Sequence, residues 1–168
     1  MQYGSRAVEL IARGHDVYGA KRRAPSAVIL AMTPNAGYSG TPRAAKLGLA
    51  SGKTLLTLGA PPNYVELVGP SMKNLKRAKS IGPGVDIVHM FTVSRSRLAT
   101  ALLDCRRQLR PDAVVWVSWP KKASGVPTDV TEDTIREVAL PLGFVDIKVC
   151  AVDAIWSGLK LMVRKDLR

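Results

Sequence analysis

The chain of 168 residues is 46% hydrophobic and 23% charged, a balance that excludes disorder along most of its length and suffices for one buried core. Its 25 Lys and Arg against 13 Asp and Glu leave a formal net charge of +12, so the surface field favours anionic partners such as nucleotides, nucleic acid or acidic proteins. No apolar run approaches the ~20 residues needed to span a bilayer, so no membrane partner is expected.

Residues 1–31 read differently from the rest. A short amphipathic stretch with Ser5 as N-cap, then Ala7, Val8, Leu10 and Ile11, runs into a segment interrupted by Gly, Arg and Pro. The expectation is an N-terminal appendage, either upstream of a natural start at Met32 or poorly packed, followed by a single α/β domain over residues 32–168. Lys21, Arg22 and Arg23 before the apolar run Ala27 to Met32 imitate a secretory signal, but that run is shorter than such signals use. Cys105 and Cys150 lie far apart and form neither a CxxC motif nor a zinc pattern, which points to a reduced, cytoplasmic protein with no metal site.

From Thr33 to Pro42 the sequence TPNAGYSGTP is loop chemistry, and Thr41–Pro42 signals an N-cap and first helical position for a short helix ending at Leu47–Gly48. TLLTL (Thr54 to Leu58) is a buried parallel strand bounded by Gly52 and Gly59, and a short helix from Tyr64 to Val68 follows. Residues 69–84 are punctuated by Gly and Pro around the basic cluster Lys73, Lys76, Arg77 and Lys79, and no regular element is assigned to them. DIVHMFT (Asp86 to Thr92) is a second strand. Ser94 then caps a helix whose Leu98, Leu102, Cys105 and Leu109 recur at helical spacing until Pro111.

AVVWVSW (Ala113 to Trp119), apolar on both faces, reads as a central strand. Thr131 caps the next helix, with Glu132 and Asp133 in its first turn, Val130 and Ile135 as a hydrophobic staple, and Gly143 just past its end. Val145 to Val152 and Trp156 to Val163 alternate apolar and polar residues about a turn at Asp153–Ala154, the pattern of a half-exposed hairpin. Strands alternating with helices imply right-handed crossovers and a parallel sheet, closed here by an antiparallel hairpin. The fold class expected is α/β, a Rossmann-like, mostly parallel sheet of the methyltransferase-like kind, its strand order resting on analogy.

In such sheets ligands bind beyond the carboxyl ends of the strands, which selects the loops Gly59 to Asn63, Thr92 to Arg95 and Trp119 to Asp129. With Gly59 as the first glycine of a nucleotide fingerprint, Pro61 takes the second glycine's place and has no N–H to offer, while Asn63 replaces a later glycine through its tolerance of left-handed geometry. Pro61 therefore argues against a conventional dinucleotide or S-adenosylmethionine grip. In WPKKASGVPTD (Trp119 to Asp129), Lys121 and Lys122 are suited to an anionic group, Ser124 and Thr128 to hydrogen bonds with it, and Trp119 to stacking. The same residues also support a structural reading: Asp129 or Thr128 shaping the helix entrance, solvated lysines, and Trp119 filling core. Neither reading supplies a nucleophile with its base.

The candidate ligand residues are thus Gly59, Asn63, Ser94, Trp119, Lys121, Lys122, Ser124 and Asp129. Gly52, Lys53 and Thr54 spell part of a phosphate-binding loop, yet they precede a strand, and Leu47 stands where its first glycine belongs. His15 and His89 are not spaced as metal ligands, and His89 is expected to be a hydrogen-bonded residue of its strand. Arg106, Arg107 and Arg110 suit a helix C-terminus. Lys73, Lys76, Arg77 and Lys79 offer contacts to nucleic-acid phosphates, but without interleaved aromatics.

AGYSGTP, LLTLGAP, WPKKASGVPTDVTED, REVALPLGFVDIKVCAVD and WSGLKL together resemble a bacterial family known as Domain of Unknown Function 3052, over about residues 34–164. The resemblance implies a Rossmann-like fold and carries over no activity, substrate or catalytic residue. Residues 1–31 fall outside it, and residues 71–84 are more basic than it leads one to expect, so a role for that patch would be particular to this protein. Three readings follow: a Rossmann-like protein binding a small anionic ligand or partner without conventional cofactor chemistry, a divergent S-adenosylmethionine-dependent methyltransferase, and a nucleic-acid-associated basic protein.

Overall fold

The computed structural model describes residues 41–168; the expected N-terminal appendage and the AGYSGTP loop up to Gly40 lie outside the described residues. The elements in chain order are α1 (Arg43–Leu47), β1 (Thr54–Leu58), α2 (Tyr64–Val68), β2 (Lys76–Arg77), β3 (Ile87–Phe91), α3 (Arg95–Gln108), β4 (Val114–Pro120), α4 (Glu132–Ala139), β5 (Phe144–Ala151) and β6 (Trp156–Val163). They build a six-stranded sheet of order β2-β1-β3-β4-β6-β5. The first four strands of that order are parallel, and β6 and β5 are antiparallel to their neighbours, as the closing hairpin requires.

The alternation of side chains along each strand divides the interior in two. Leu56, Val88, Met90, Val115, Val117 and Leu161 face α3 and α4, meeting Leu98 and Leu102 from the former and Ile135 and Ala139 from the latter. Leu55, Ile87, Phe91 and Trp116 face the other way, against Ala44, Leu47, Tyr64 and Leu67 of α1 and α2. β4 lies between β3 and β6, which accounts for a strand whose residues from Val115 to Pro120 are all buried.

Several local expectations need correcting. The N-cap of α1 is Pro42, one residue later than expected, and its carbonyl accepts from Lys46 N at 3.1 Å. Residues 69–84 hold a 3-10 helix (Gly69–Asn74) and the two-residue strand β2, which pairs Lys76 with Thr54 and Arg77 with Leu55. Two exposed basic residues carry no apolar period; as an edge strand, β2 is protected from further pairing by those same charges. Helix α4 passes at Leu140 into a 3-10 turn, because Pro141 lacks the N–H that would continue the ladder, and Gly143 follows with φ 88°. In the hairpin, a bulge between Asp146 and Lys148 breaks the alternation and leaves Ile147 and Val149 exposed on the sheet edge.

The caps divide in the same manner. Thr131 caps α4 as expected, its Oγ1 accepting from Thr134 N at 3.1 Å, with Val130 and Ile135 both buried beside it. Ser94 occupies the N-cap position of α3 but makes no cap: its hydroxyl bonds Ser96 Oγ at 2.9 Å. The first turn of α3 is held instead from another loop, Asp129 Oδ1 accepting from Arg95 N at 2.6 Å. The hairpin turn is closed by Asp153 Oδ1, which accepts from Ile155 N at 2.7 Å and Trp156 N at 2.6 Å.

Candidate functional site

The chain runs from β1 outward to β2, then returns past β1 to β3 on its other side, so the strand order reverses between β1 and β3. Diverging connections leave a crevice beyond the carboxyl ends of the strands at such a point. A cleft of about 370 Å³ opens there, lined by Leu58 and Gly59 at the end of β1, Met90 to Val93 at the end of β3 and just beyond it, Arg97 and Ala101 from α3, and Trp156 from the hairpin. An adjoining hollow of about 420 Å³ shares Leu58, Arg97 and Ala101 and adds Ile81, Ser96, Thr100 and Asp104. The lining is mainly apolar, with Phe91 and Trp156 edge to face at 5.1 Å.

Arg97 is the cation common to both hollows, and among the described residues it enters no ion pair. It sits in the first turn of α3, where a positive charge opposes the helix dipole. Asp129 at Arg95 N brings a compensating carboxylate to that turn. Asp104 lies on the same helical face seven residues on, about 10 Å along the axis. The first hollow therefore sets aromatic edges beside the shared cation, and the adjoining one sets a carboxylate on the same helix.

Gly59 has φ +62°, and a Cβ there would stand 2.6 Å from the Phe91 carbonyl oxygen. The turn after β1 is thus packed against the end of β3, and any side chain would force the two apart. Asn63 precedes α2 with φ −85°, so the left-handed geometry anticipated for it is not used, and it does not line the cleft. Ser94 lies beside the cleft at the start of α3. Trp119 is 8% exposed within the core facing α3 and α4, which leaves no ring face open for stacking.

The loop from Lys121 to Asp129 is fastened at both ends. Lys121 donates from Nζ to Asp153 O at 2.5 Å and from its backbone N to Ile155 O at 2.7 Å, tying the loop to the hairpin turn. Ser124 Oγ donates to Lys121 O at 2.6 Å. At the far end Asp129 N and Thr128 Oγ1 both donate to Val93 O, at 3.2 and 3.0 Å. Lys122 is exposed. The structure brings Gly59 to the cleft, and Asp129 and Ser94 to its rim at α3; it engages Lys121 and Ser124 internally and keeps Asn63 and Lys122 apart from the lining.

Beneath the cleft, His89 is fully buried, its Nδ1 3.0 Å from Tyr64 Oη and its Nε2 2.8 Å from Ser118 Oγ. Burial draws the imidazole down to about 3 and pushes the Tyr64 phenol up, so both stay neutral. With Ser118 also fully buried, this is a satisfied polar network inside the core, as expected of a strand histidine. Burial likewise pushes the Cys105 thiol up to about 12.

The other motifs also find structural accounts. The Gly52–Thr54 stretch lies at the opposite end of β1, where Asp86 accepts from Thr54 N at 2.8 Å and pairs with Lys53 and Arg110. Those contacts, the backbone one foremost, hold the Asp86 carboxyl below its usual range. Arg110 thus serves Asp86 and Asp112, and Arg106 Nε donates to Leu142 O at 3.1 Å; neither caps its own helix. Lys73, Lys76, Arg77 and Lys79 lie exposed along the 3-10 helix and the β2 edge. Phe91, Arg97 and Trp156 went unselected in the sequence because their meeting depends on the strand order; the one local signal was arginine in a helix's first turn.

A family described as a protein of unknown function (DUF3052) matches residues 84–165, so the resemblance found in the sequence is borne out over that segment. No curated protein matches the chain. Among solved structures, the fold is similar to that of a SAM-dependent methyltransferase from Aquifex aeolicus, at 17% identity over 71% of this chain and 87% of that one, with a TM-score of 0.53. Aeropyrum pernix fibrillarin, solved with natively bound S-adenosyl-L-methionine, overlays at 14% identity and a TM-score of 0.47, covering 71% of this chain and 73% of that one. At 17% identity the likeness to the Aquifex aeolicus structure is one of fold alone, the methyltransferase-like Rossmann arrangement expected from the strand pattern. Among the described residues no helix is long and apolar enough to cross a membrane.

Proposed function

We propose, from the premise that residues 84–165 carry the DUF3052 segment within a methyltransferase-like Rossmann fold, that the protein binds a small anionic ligand in the cleft between the ends of β1 and β3. The observation that carries this reading is Arg97, an arginine without an ion-pair partner among the described residues, set in the wall of an otherwise largely apolar cleft. A guanidinium in such surroundings is suited to a carboxylate or phosphate held by two parallel hydrogen bonds. Phe91 and Trp156 favour a ligand with a flat apolar body beside Arg97, and Asp104 a hydroxyl or amine on any part that extends into the adjoining hollow.

S-adenosylmethionine, named for the fold neighbours, suits these residues poorly. Pro61 and Pro62 remove two N–H donors from the loop after β1. Lys79 and Ser80 follow β2, where a ribose-binding fold of this class places an acid for the sugar hydroxyls. Arg97 also repels a sulfonium.

The test is thermal stabilisation of the protein by a panel of nucleotides, sugar phosphates and aromatic carboxylates, with Arg97→Met keeping the aliphatic stem. At least one compound should raise the midpoint saturably, and Arg97→Met should abolish the effect. Stabilisation by no compound, or the absence of any compound whose effect Arg97→Met abolishes, rejects the proposal. Equilibrium binding of labelled S-adenosylmethionine runs beside it, and saturable binding there favours the divergent methyltransferase instead.

A further inference from the structure

A second concentration of positive charge lies on the α1 side of the hairpin and shares no lining residue with the cleft. In the antiparallel registers Trp116 on β4 stands opposite Lys160 on β6, and Lys160 stands opposite Lys148 on β5. Residues directly paired across strands share a face, so the three side chains form one row. Helix α1 closes over its inner end, Trp116 Nε1 donating to Leu47 O at 3.0 Å. Lys46 is the residue before Leu47 on that helix. Lys148 Nζ lies 5.7 Å from the Trp116 ring centroid.

Two lysines directly opposite each other repel. Among the described residues none of Lys46, Lys148 and Lys160 enters an ion pair; the lysine that does is Lys53, at the far end of β1. The acid closest in register, Asp146, pairs with Leu161, which faces α3 and α4, and its carboxylate is bonded to Arg136 at 2.9 Å. Lys160 is partly buried; burial first, and the Lys148 charge second, draw its ammonium below the ordinary lysine value. Burial pushes the Cys150 thiol up, and the charges of Lys148 and Lys46 oppose that shift. Two lysines thus stand side by side on the row that α1 covers, with Lys46 on that helix, and among the described residues no carboxylate pairs with any of the three.

We propose that Lys46, Lys148 and Lys160 form a second anion site, on the hairpin face beside α1, that takes a phosphoryl oxyanion. Ammonium groups are compact donors suited to such an oxygen cluster, and binding one anion offsets both the mutual repulsion and the lost hydration. The phosphoryl group belongs either to free phosphate or to the backbone of a nucleic acid, and one experiment with two arms separates these sources.

In the first arm, the full chain is melted over a titration of inorganic phosphate, with ionic strength held constant by chloride. The midpoint should rise saturably. Lys160→Met and Lys148→Met should each weaken the apparent affinity about tenfold, the scale of one charge-assisted hydrogen bond. Lys160→Met removes repulsion and retains apolar contact, so it should melt no lower than the parent in chloride alone. The saturable rise should persist in an Arg97→Met background and weaken there with each lysine substitution, which separates this site from the cleft. No saturable rise in the parent protein, or an equal rise in Lys160→Met, overturns the proposal. The second arm measures single-stranded oligonucleotide affinity against salt. A slope that falls by about 0.7 for each lysine removed assigns the anion to a nucleic-acid backbone. An unchanged oligonucleotide curve, with the phosphate response lost, assigns it to free phosphate.

Discussion

Acidification should unfold this protein earlier than its carboxylates alone would require, and His89 is the cause. The imidazole is fully buried, and burial lowers it from 6.5 to about 3 in the folded chain. Its two hydroxyl partners, Tyr64 and Ser118, can turn either to donate or to accept, so desolvation of the charge sets the cost of protonation. The unfolded chain takes up the proton below about pH 6.5 while the folded chain refuses it until about pH 3, so stability falls as pH falls through that interval. Between pH 7 and pH 5 the loss is about 2 kcal/mol. Asp86, held below its usual range, adds its own loss only at lower pH. Urea unfolding at pH 7, 6 and 5 reads the effect, in a His15→Gln background that leaves one imidazole. In that background His89→Gln should flatten the dependence whatever its own cost at pH 7. A difference in acid loss below about 0.5 kcal/mol between parent and variant would refute the reasoning.

Two substitutions probe the cleft's frame. Gly59→Ala puts a Cβ 2.6 Å from the Phe91 carbonyl at a φ of +62°, and urea midpoints should register a loss of about 2 to 4 kcal/mol. Asp129→Ala removes the carboxylate that accepts from Arg95 N and should cost about 1 kcal/mol, with Asp129→Asn recovering part of it; equal stability for all three proteins would show that the contact does not hold α3.

Much of the architecture was legible because each major element is punctuated by the residue its geometry needs. Gly48 and Gly143 stand at positive φ where helices stop, Thr131 caps α4, and the apolar runs around Leu56, Val88 and Val117 are the parallel strands. β2 was illegible because its place depends on pairing with β1, with no apolar residue of its own to mark it. The cap of α3 was misassigned for a related reason. Ser94 has the right chemistry at the right position, yet the acceptor that reaches Arg95 N comes from 34 residues away, brought by the strand order.

The candidate site divides in the same manner. The rule that ligands sit at strand carboxyl ends points to the turns after β1 and β3, and both line the cleft. The Trp119 to Asp129 loop drew attention through its density of polar groups. Those groups are largely engaged within the fold: Lys121 with the hairpin turn, Ser124 with Lys121, and Thr128 with Val93. A single sequence does not distinguish a polar residue free for a ligand from one bonded to a distant carbonyl. Arg97 carried a different kind of signal, a charge at odds with its helix terminus.

The sheet also separates residues that the chain joins. Met90 belongs to the interior facing α3 and α4, whereas Phe91, its neighbour, belongs to the one facing α1 and α2. Substitutions at these adjacent positions loosen different cores, while Phe91 shares its core with Tyr64, 5.7 Å away across 27 positions. Energetic coupling in this protein should therefore follow sheet faces, with partners found across strands and strangers one residue apart.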